Sequence, residues 1–268
     1  MSYLRAFSTL GCPELSLDEV LVLAERHGMS AVELRALGGT TGLPEYFSQQ
    51  FGSPENVAAA DRSLRSRPRI VGLNTSFKLS DTSSFRRQEL LRFVPWAEAM
   101  QVPRLRVFDG GGRGDDAELE QAAETLAWWR ELRASHSWRT DLMIETHDSF
   151  FTAETIARFL SLVPDAAVLW DTHHTWKRGG ELPSATWRAI KANVVHIHVK
   201  DSISRPSLRH PFTYVIPGHG EFPSAELFAA LRADQFAGPV SLEWEKLWNP
   251  ELPSLHEALT AANAKAWW

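Results

Sequence analysis

The feature that most constrains the fold is a regular alternation of eight short apolar runs with eight longer amphipathic stretches. The apolar runs predict strands at 4–10, 31–37, 69–77, 104–110, 141–147, 167–173, 194–200 and 239–245. The stretches of helical periodicity predict helices at 17–27, 54–66, 84–100, 115–135, 153–163, 184–192, 223–233 and 253–264. Eight strand–helix units in 268 residues indicate an α/β fold, the (β/α)8 TIM barrel.

A doubly wound open sheet shows the same alternation and is the main rival. Such a sheet rarely needs eight regular units, and the first strand–helix turn, STLGCPELSL at 8–17, lacks the Gly-x-Gly-x-x-Gly phosphate loop. No linker, repeat or low-complexity segment divides the chain. We therefore expect residues 1–268 to form a single domain.

Composition restricts the class of function. The net charge of −5 argues against nucleic acid as a partner, because its phosphates would be repelled by the average field. No apolar segment approaches the length of a membrane helix, and the N-terminus lacks the pattern of a secretory signal. Cys12 is the only cysteine, which suits a reducing compartment, and we interpret it as a packed residue rather than a nucleophile. These features predict a soluble cytoplasmic protein without a membrane partner.

Polar side chains collect at the ends of the last four predicted strands. In a barrel, alternate residues point inward and functional groups gather at the C-terminal ends of the strands. Residues two apart on each strand are carboxylates or imidazoles: Glu145 and His147, Asp171 and His173, His196 and His198, and Glu243 and Glu245. Buried together they would repel one another, and a divalent cation resolves that conflict. Three carboxylates with one imidazole suit Mn²⁺, Mg²⁺ or Co²⁺; Zn²⁺ is possible but prefers more nitrogen or sulfur.

Five motifs carry a resemblance to a known family. In this order and spacing, they resemble the sugar isomerase/epimerase branch of the xylose isomerase-like TIM barrels: IETHDSF at 144–150, WDTHHTW at 170–176, HIHVKD at 196–201, IPGHGEF at 216–222 and SLEWE at 241–245. Relatives in that superfamily include ketose 3-epimerases, inosose dehydratases and nucleases of the endonuclease IV type. The resemblance covers essentially the whole chain and is most specific in residues 141–245.

The resemblance implies a site and a reaction. It implies that one divalent metal ion is held by four residues, Glu145, Asp171, His198 and Glu243. The ion would stabilise an enediolate as a Lewis acid while Glu145 and Glu243 remove and return a proton next to a carbonyl group. Return to the opposite face of the same carbon gives epimerisation, and return to the neighbouring carbon gives isomerisation. The expected residues that contact substrate are His174, His147, Arg106, Lys200 and Trp176.

Several assignments stay open at this point. Glu245 has the same parity as Glu243 and could replace it as a ligand, although the family register favours Glu243. Lys200 and Asp201 form either an ion pair or a substrate contact. Arg35 and Arg106 are each either a hydrogen-bond donor to substrate in the pocket or a salt-bridge partner. Trp176, Trp244 and Trp248 each either stack on a sugar or pack at the barrel rim. We interpret His196 as a hydrogen-bonded core residue, and nothing in the chain requires a role for His173.

Three other functions compete with a ketose isomerase or epimerase. The chain departs from the ketose epimerases by a longer loop after strand 7 and by Ser204 in place of an arginine that contacts substrate. These departures keep a lyase or dehydratase of a keto-sugar or inosose as the alternative. A DNA-repair endonuclease needs histidines at the ends of strands 3 and 4, where this chain has none. A non-catalytic sugar-binding barrel is the third.

The expected ligand is a small sugar or keto-sugar. No phosphate loop is evident near strands 7 and 8, so we expect a neutral sugar or polyol-derived ketone rather than a sugar phosphate. Relatives are often dimers or tetramers, and the resemblance therefore admits a homo-oligomer.

Overall fold

The chain folds into a closed barrel of parallel strands surrounded by helices, as the alternation predicts. A computed structural model describes residues 3–60 and 68–268. The strands are β1 Leu4–Ser8, β2 Ala31–Leu34, β3 Arg69–Lys78, β4 Arg104–Phe108, β5 Asp141–Glu145, β6 Val168–Asp171, β7 Val194–Val199, β8 Ser202–Ile203, β9 Thr213–Tyr214 and β10 Pro239–Leu242. Eight of them close the barrel in the order β1-β2-β3-β4-β5-β6-β7-β10 and back to β1.

Helices connect the barrel strands. They are α1 Leu17–Arg26, α2 Leu43–Phe51, α3 Pro54–Ala60, α4 Ser84–Leu91, α5 Val94–Ala99, α6 Asp116–His136, α7 Ala153–Leu162, α8 Thr172–Lys177, α9 Pro183–Ile190, α10 Ser224–Ala233 and α11 Leu255–Ala264. Among the described residues, no helix is long and apolar enough to cross a membrane.

The predicted strands are all present, but their ends differ. Seven of the eight end one to three residues earlier than predicted, while β3 ends one residue later. The prediction of one helix over 84–100 is wrong because the chain forms two helices there, α4 and α5. Pro95 lies in the first turn of α5, where a proline is tolerated, whereas it would interrupt one continuous helix. The predicted helix 54–66 is present to Ala60, and its last part falls at 61–67, outside the described residues.

Helix starts follow from local hydrogen bonding. Ser16 and Glu19 form a capping box at the start of α1, in which each side chain satisfies a backbone amide of the other. The Asp115 side chain accepts from the amide of Glu118 at the start of α6. These caps fix where each helix leaves the barrel rim.

The apolar core lies between the barrel wall and the helices. Outward-facing strand residues such as Val107, Ile144, Ile197 and Val240 are fully or almost fully buried in one continuous cluster with the helices. Alternate residues on the same strands point into the barrel, and there the chain places its buried polar groups. Cys12 is part of the apolar core, where burial raises the pKa of its thiol.

Candidate metal centre and substrate cavity

Four buried side chains meet at the C-terminal end of the barrel. Glu145, Asp171, His198 and Glu243 each offer a ligand-type atom, and these atoms all lie within 4.8 Å of one another. They come from the neighbouring strands β5, β6 and β7 and from the residue after β10. Asp171 and His198 are register partners, so they lie at the same height in the barrel. We call these four residues the carboxylate arc.

Asp171 has two structural tasks because β6 ends on it and α8 begins directly after it. Its Oδ1 accepts hydrogen bonds from the amides of His173 at 2.9 Å and His174 at 3.0 Å. This N-cap leaves Oδ2 on the side of the cluster. The same turn directs His173 elsewhere, with its Nε2 2.7 Å from the hydroxyl of Ser202.

A buried glutamate orients His198 of the carboxylate arc. His198 Nε2 lies 2.9 Å from Glu33 Oε1, and His196 Nε2 lies 2.9 Å from Glu33 Oε2. Glu33 is fully buried, yet His198 and His196 lower its pKa well below the usual range against the opposing effect of burial. Because the carboxylate holds Nε2 of His198, Nδ1 faces the other three side chains of the carboxylate arc.

Sequence analysis did not identify Glu33. A signal was present, because Glu33 is the one charged residue of the buried strand β2. Glu33, His196 and His198 form a second group of ligand-type atoms within 4.8 Å. Since His196 Nε2 also lies 2.7 Å from the Ser241 hydroxyl, we interpret this group as a hydrogen-bond network.

The fit of a divalent cation rests on the buried donor atoms that meet in the carboxylate arc. His198 Nδ1 is buried and has no hydrogen-bond partner, while the buried Glu145 Oε2 and Asp171 Oδ2 face cations, Arg106 Nε at 3.2 Å and Lys200 Nζ at 2.8 Å. His198 Nδ1 lies 3.3 Å from Glu243 Oε2 and 3.5 Å from Glu145 Oε1. Burial opposes a charge on His198, but Glu243 and Glu33 raise its pKa well above the ordinary value, so the carboxylates favour a positive charge here. This donor set fits a hard divalent cation.

Lys200 supplies positive charge beside the carboxylate arc. Its ammonium group contacts Asp171 Oδ2 at 2.8 Å, Glu245 Oε1 at 2.7 Å and the Glu243 carboxylate. Burial alone would lower the pKa of Lys200, and the carboxylates raise it well above the ordinary value. Lys200 is 1% exposed and lies behind the cavity wall, so its position does not support the predicted substrate contact.

Asp201 does not form the ion pair with Lys200 that the sequence admits. Its carboxylate accepts hydrogen bonds from the amides of Gly218, Gly220 and Phe222, between 2.8 and 3.1 Å, and from that of Ser202. The glycine amides of the IPGHGEF motif are thereby occupied within the protein.

A cavity of about 270 Å³ opens above the carboxylate arc. His147 and His174 are on its wall, with their ring centroids 4.9 Å apart. His174 Nδ1 donates to the carbonyl oxygen of Thr146 at 2.9 Å, which leaves Nε2 as an acceptor. The lining residues are Leu10, Arg35, Arg106, Phe108, Glu145, His147, His174, Arg209, His210, Tyr214, Glu243, Glu245 and Trp248.

A hairpin covers this cavity. The long loop after β7 forms the antiparallel pair β8–β9, which the strand prediction did not include. Arg209, His210 and Tyr214 of this segment line the cavity, and the Tyr214 hydroxyl lies 3.4 Å from Glu245 Oε1. Each hairpin strand has two residues, too few for an alternation to be visible in the sequence.

Comparison with known proteins identifies the family. Residues 21–265 match the model of the xylose isomerase-like TIM barrel family. The chain belongs to this family. A comparison with curated protein sequences finds no match.

Solved structures share the whole barrel at low sequence identity. The probable 3-DHS dehydratase AsbF from Bacillus anthracis superposes with a TM-score of 0.78 at 18% identity, over 98% of this chain and 99% of its own. A xylose isomerase domain protein from Salmonella typhimurium LT2 gives 0.76 at 13% identity, over 99% and 97%. A D-allulose 3-epimerase from Methylomonas sp. in complex with D-allulose gives 0.65 at 16% identity, over 99% and 97%.

Tryptophans of this xylose isomerase-like barrel differ in their access to the cavity. The structure does not bring Trp176 to the cavity, because its ring packs against Phe222 and His173 at centroid distances of 5.5 and 5.6 Å. The predicted sugar contact of Trp176 is therefore not supported. Trp244 is buried and donates to the carbonyl oxygen of Pro253, whereas Trp248 lines the cavity and is 42% exposed.

A larger cavity, about 530 Å³, lies at the opposite end of the strands. It is lined mainly by apolar residues such as Leu4, Val71 and Met143 and reaches the buried network only at His196. We place the functional site at the smaller cavity because the titratable groups converge there.

Proposed function

We propose that this chain is a divalent-metal-dependent isomerase or epimerase that moves a proton next to the carbonyl group of a keto-sugar. The observation that carries the proposal is the convergence of four buried ligand-type side chains, two of which, Glu145 and Glu243, line a cavity. The neighbour described as a D-allulose 3-epimerase supports the same chemistry. We also propose that residues 1–268 act as one domain, since the family match spans 21–265.

Glu145, Asp171, His198 and Glu243 would hold the ion, and their oxygen-rich set favours Mn²⁺, Mg²⁺ or Co²⁺. When bound, the ion supplies Lewis-acid stabilisation of negative charge on substrate oxygens. Glu33 and Asp109 hold the surroundings in place: Glu33 orients His198, and the Asp109 carboxylate accepts four amide hydrogen bonds from residues 147–150.

The proton is moved by two carboxylates that are ionised at neutral pH. Burial opposes the charge on Glu145, but Arg106 and His198 more than offset it and lower its pKa to about 2. Burial likewise opposes the charge on Glu243, and His198 and Lys200 lower its pKa well below the usual range. One carboxylate removes the proton and becomes a carboxylic acid, which can return the proton to the neighbouring carbon; the other carboxylate, after taking up a proton from water, can deliver it to the opposite face.

Other cavity residues position the substrate. His174 Nε2 faces away from its Thr146 contact and accepts a hydrogen bond from a substrate hydroxyl. The hairpin residues Phe212 and Tyr214 are buried beside the site and exclude water from it.

The second candidate is a lyase or dehydratase acting on the same class of keto compound. The imidazole of His147 lines the cavity and is held by Asp148, with 3.0 Å between Nδ1 and Oδ1. This geometry would let His147 deliver a proton to a departing hydroxyl group after Glu145 or Glu243 has removed the first proton. The neighbour described as a probable dehydratase supports this alternative.

The test is incubation of Mn²⁺-loaded protein in D₂O with a panel of ketoses, 3-keto-sugars and keto-aldonates. The proposal expects deuterium at a carbon next to the carbonyl, seen by NMR, with no change in mass beyond the exchange. Loss of water from the product would identify the lyase instead. Absence of both, with metal-free protein as the reference, would contradict a catalytic role.

A further inference from the structure

Two buried guanidinium groups lie on the part of the cavity wall formed by β2 and β4, beside the carboxylate arc, which begins at β5. Arg35 follows β2 and Arg106 is in β4; they are 7% and 2% exposed, and both line the cavity. We call this pair the arginine arc. Neither group has its charge fully matched within the protein.

Arg35 has only neutral hydrogen-bond partners. Its Nη2 donates to the Ser76 hydroxyl at 2.9 Å, and its Nη1 donates to the carbonyl oxygen of Asn74 at 3.4 Å. Among the described residues, no carboxylate lies within ion-pair distance of Arg35. Burial and the nearby Arg106 lower the pKa of Arg35, and the more distant Glu145 and Glu243 oppose this only in part.

Arg106 is matched on one edge. Its Nε lies 3.2 Å from Glu145 Oε2, and its guanidinium lies 3.9 Å from the centre of the Phe108 ring. Its Nη1 is buried and has no hydrogen-bond partner. A buried donor without a partner costs free energy, so its retention here indicates a partner that arrives with the ligand.

Lys200 provides the contrast within the same site. It is as buried as Arg106, yet its ammonium group contacts three carboxylates, Asp171, Glu243 and Glu245. Burial alone therefore does not leave cations unmatched in this protein. Among the described residues of this site, Arg35 has neutral partners and Arg106 keeps an unsatisfied Nη1, and both face the cavity.

We propose that the arginine arc binds a carboxylate group of the substrate, so that the substrate is a keto-sugar acid or a carboxylated keto-cyclitol. This inference rests on the proposed function for the site, and it replaces the neutral sugar expected from the sequence. The planar fork of a guanidinium matches a carboxylate with two parallel hydrogen bonds. The cavity of about 270 Å³ suits a molecule of monosaccharide size.

A carboxylate fits better than a phosphate. Phosphates are commonly held by backbone amides of glycine turns or helix N-termini. The glycine turn nearest this site is already occupied, because Gly218 and Gly220 donate their amides to Asp201. The remaining donors on this wall are side-chain guanidinium groups.

The test compares two probes that differ in one group, 5-keto-D-gluconate and L-sorbose, which carries CH₂OH in place of the carboxylate. Calorimetric titration of Mn²⁺-loaded wild-type protein should give tighter binding of 5-keto-D-gluconate. The variant Arg35→Met should weaken binding of the acid at least ~30-fold and that of L-sorbose far less, because L-sorbose has no carboxylate for the guanidinium to hold. D-fructose 6-phosphate serves as the phosphate probe, and Arg35-dependent binding of it in preference to the acid would overturn the choice of carboxylate.

Two controls separate this role from a structural one. Arg35→Met should unfold at the same or a higher temperature than wild type without ligand, because it removes an unmatched buried charge. Arg130→Met alters an arginine of α6 that pairs with Asp165 in the turn after α7, at the protein surface, and should not change binding of either probe. A lower melting temperature for Arg35→Met with unchanged preference for the acid would overturn the inference.

The outcome is separable from that of the proposed function. Deuterium exchange on L-sorbose without any preference for the acid would overturn this inference and leave the proton-transfer chemistry standing. Arg35-dependent binding of 5-keto-D-gluconate without exchange on either probe would do the reverse.

Discussion

The carboxylate arc and the arginine arc lie at one cavity but differ in whether their buried charges have partners of opposite sign. On β5, β6, β7 and after β10, carboxylates crowd within 4.8 Å and are held by Lys200 and by the Glu33–His198 contact. After β2 and on β4, Arg35 and Arg106 are also buried, yet within the described part of the chain Arg35 has no carboxylate at ion-pair distance and Arg106 has an unpaired Nη1.

The difference indicates that the two arcs bind different groups. The carboxylate arc places three carboxylates around His198, whose Nδ1 has no hydrogen-bond partner, which suits a cation. The arginine arc has excess positive charge and orphaned donors, which suits an anionic group of the substrate. The reacting carbons would therefore lie between the two arcs, next to Glu145 and Glu243.

The largest expected effect breaks the carboxylate arc at Glu243. The variant Glu243→Gln should lower turnover by roughly 10²–10⁴-fold, because it removes a proton acceptor and one negatively charged ligand. Turnover and bound metal should be measured together. The matched variant Glu245→Gln, two residues away and in contact with Lys200, should retain the metal. Loss of metal in Glu245→Gln alone would move the ligand assignment to Glu245.

A second variant tests how the carboxylate arc is held. Glu33→Gln should weaken Mn²⁺ binding by roughly 10–100-fold, because a neutral amide no longer fixes the His198 ring through its Nε2–H. Calorimetry on the purified protein measures this without any substrate. Ser241→Ala removes only the hydroxyl next to His196 and should have a smaller effect. Equal affinity of Glu33→Gln and wild type would show that His198 is oriented without Glu33.

The smallest expected effect concerns His27, outside both arcs, and it separates the pH dependence of folding stability from that of the site. His27, at the end of α1, has its Nε2 2.8 Å from Nδ1 of His256 in α11. Burial, with His256 and Arg26 adding to it, lowers the pKa of His27 below 6.5. The neutral imidazole is therefore favoured in the fold, so stability is full above pH 6.5 and falls as the pH decreases through the folded pKa.

Thermal unfolding between pH 5 and 7.5 measures this dependence. His27→Asn should flatten the decrease below pH 6.5, whereas the exposed variant His136→Asn should not. The change should be the same with and without Mn²⁺. A metal-dependent change would mean that the α1–α11 contact is coupled to the site.

The barrel and the carboxylate arc were predictable because each depends on short-range pattern. Strand and helix periods repeat along the chain, and residues two apart on one strand must share a face. Asp171 and His198 could thus be placed on one surface before their register was known. The family resemblance then selected His198 over His196, and the contact of His196 with Ser241 agrees with a core position.

Glu33 and the hairpin were not predictable by the same reasoning. Glu33 is 165 residues from His198 in the chain, so their contact depends on closure of the barrel and not on local spacing. The hairpin strands are too short for a pattern, although they bring Arg209 and His210 over the cavity. The role of Asp171 as a helix cap was hidden because α8 has six residues, fewer than two turns.

The central claim is that the carboxylate arc is a metal centre, and Mn²⁺ titration of wild type against Asp171→Asn tests it most directly. Asparagine retains a side-chain oxygen to cap α8 but removes the negative charge, so the fold should persist. The account predicts one Mn²⁺ bound per chain in wild type, a higher melting temperature with the ion, and loss of both in Asp171→Asn. Absence of Mn²⁺ binding in wild type, or equal binding in the variant, would contradict it.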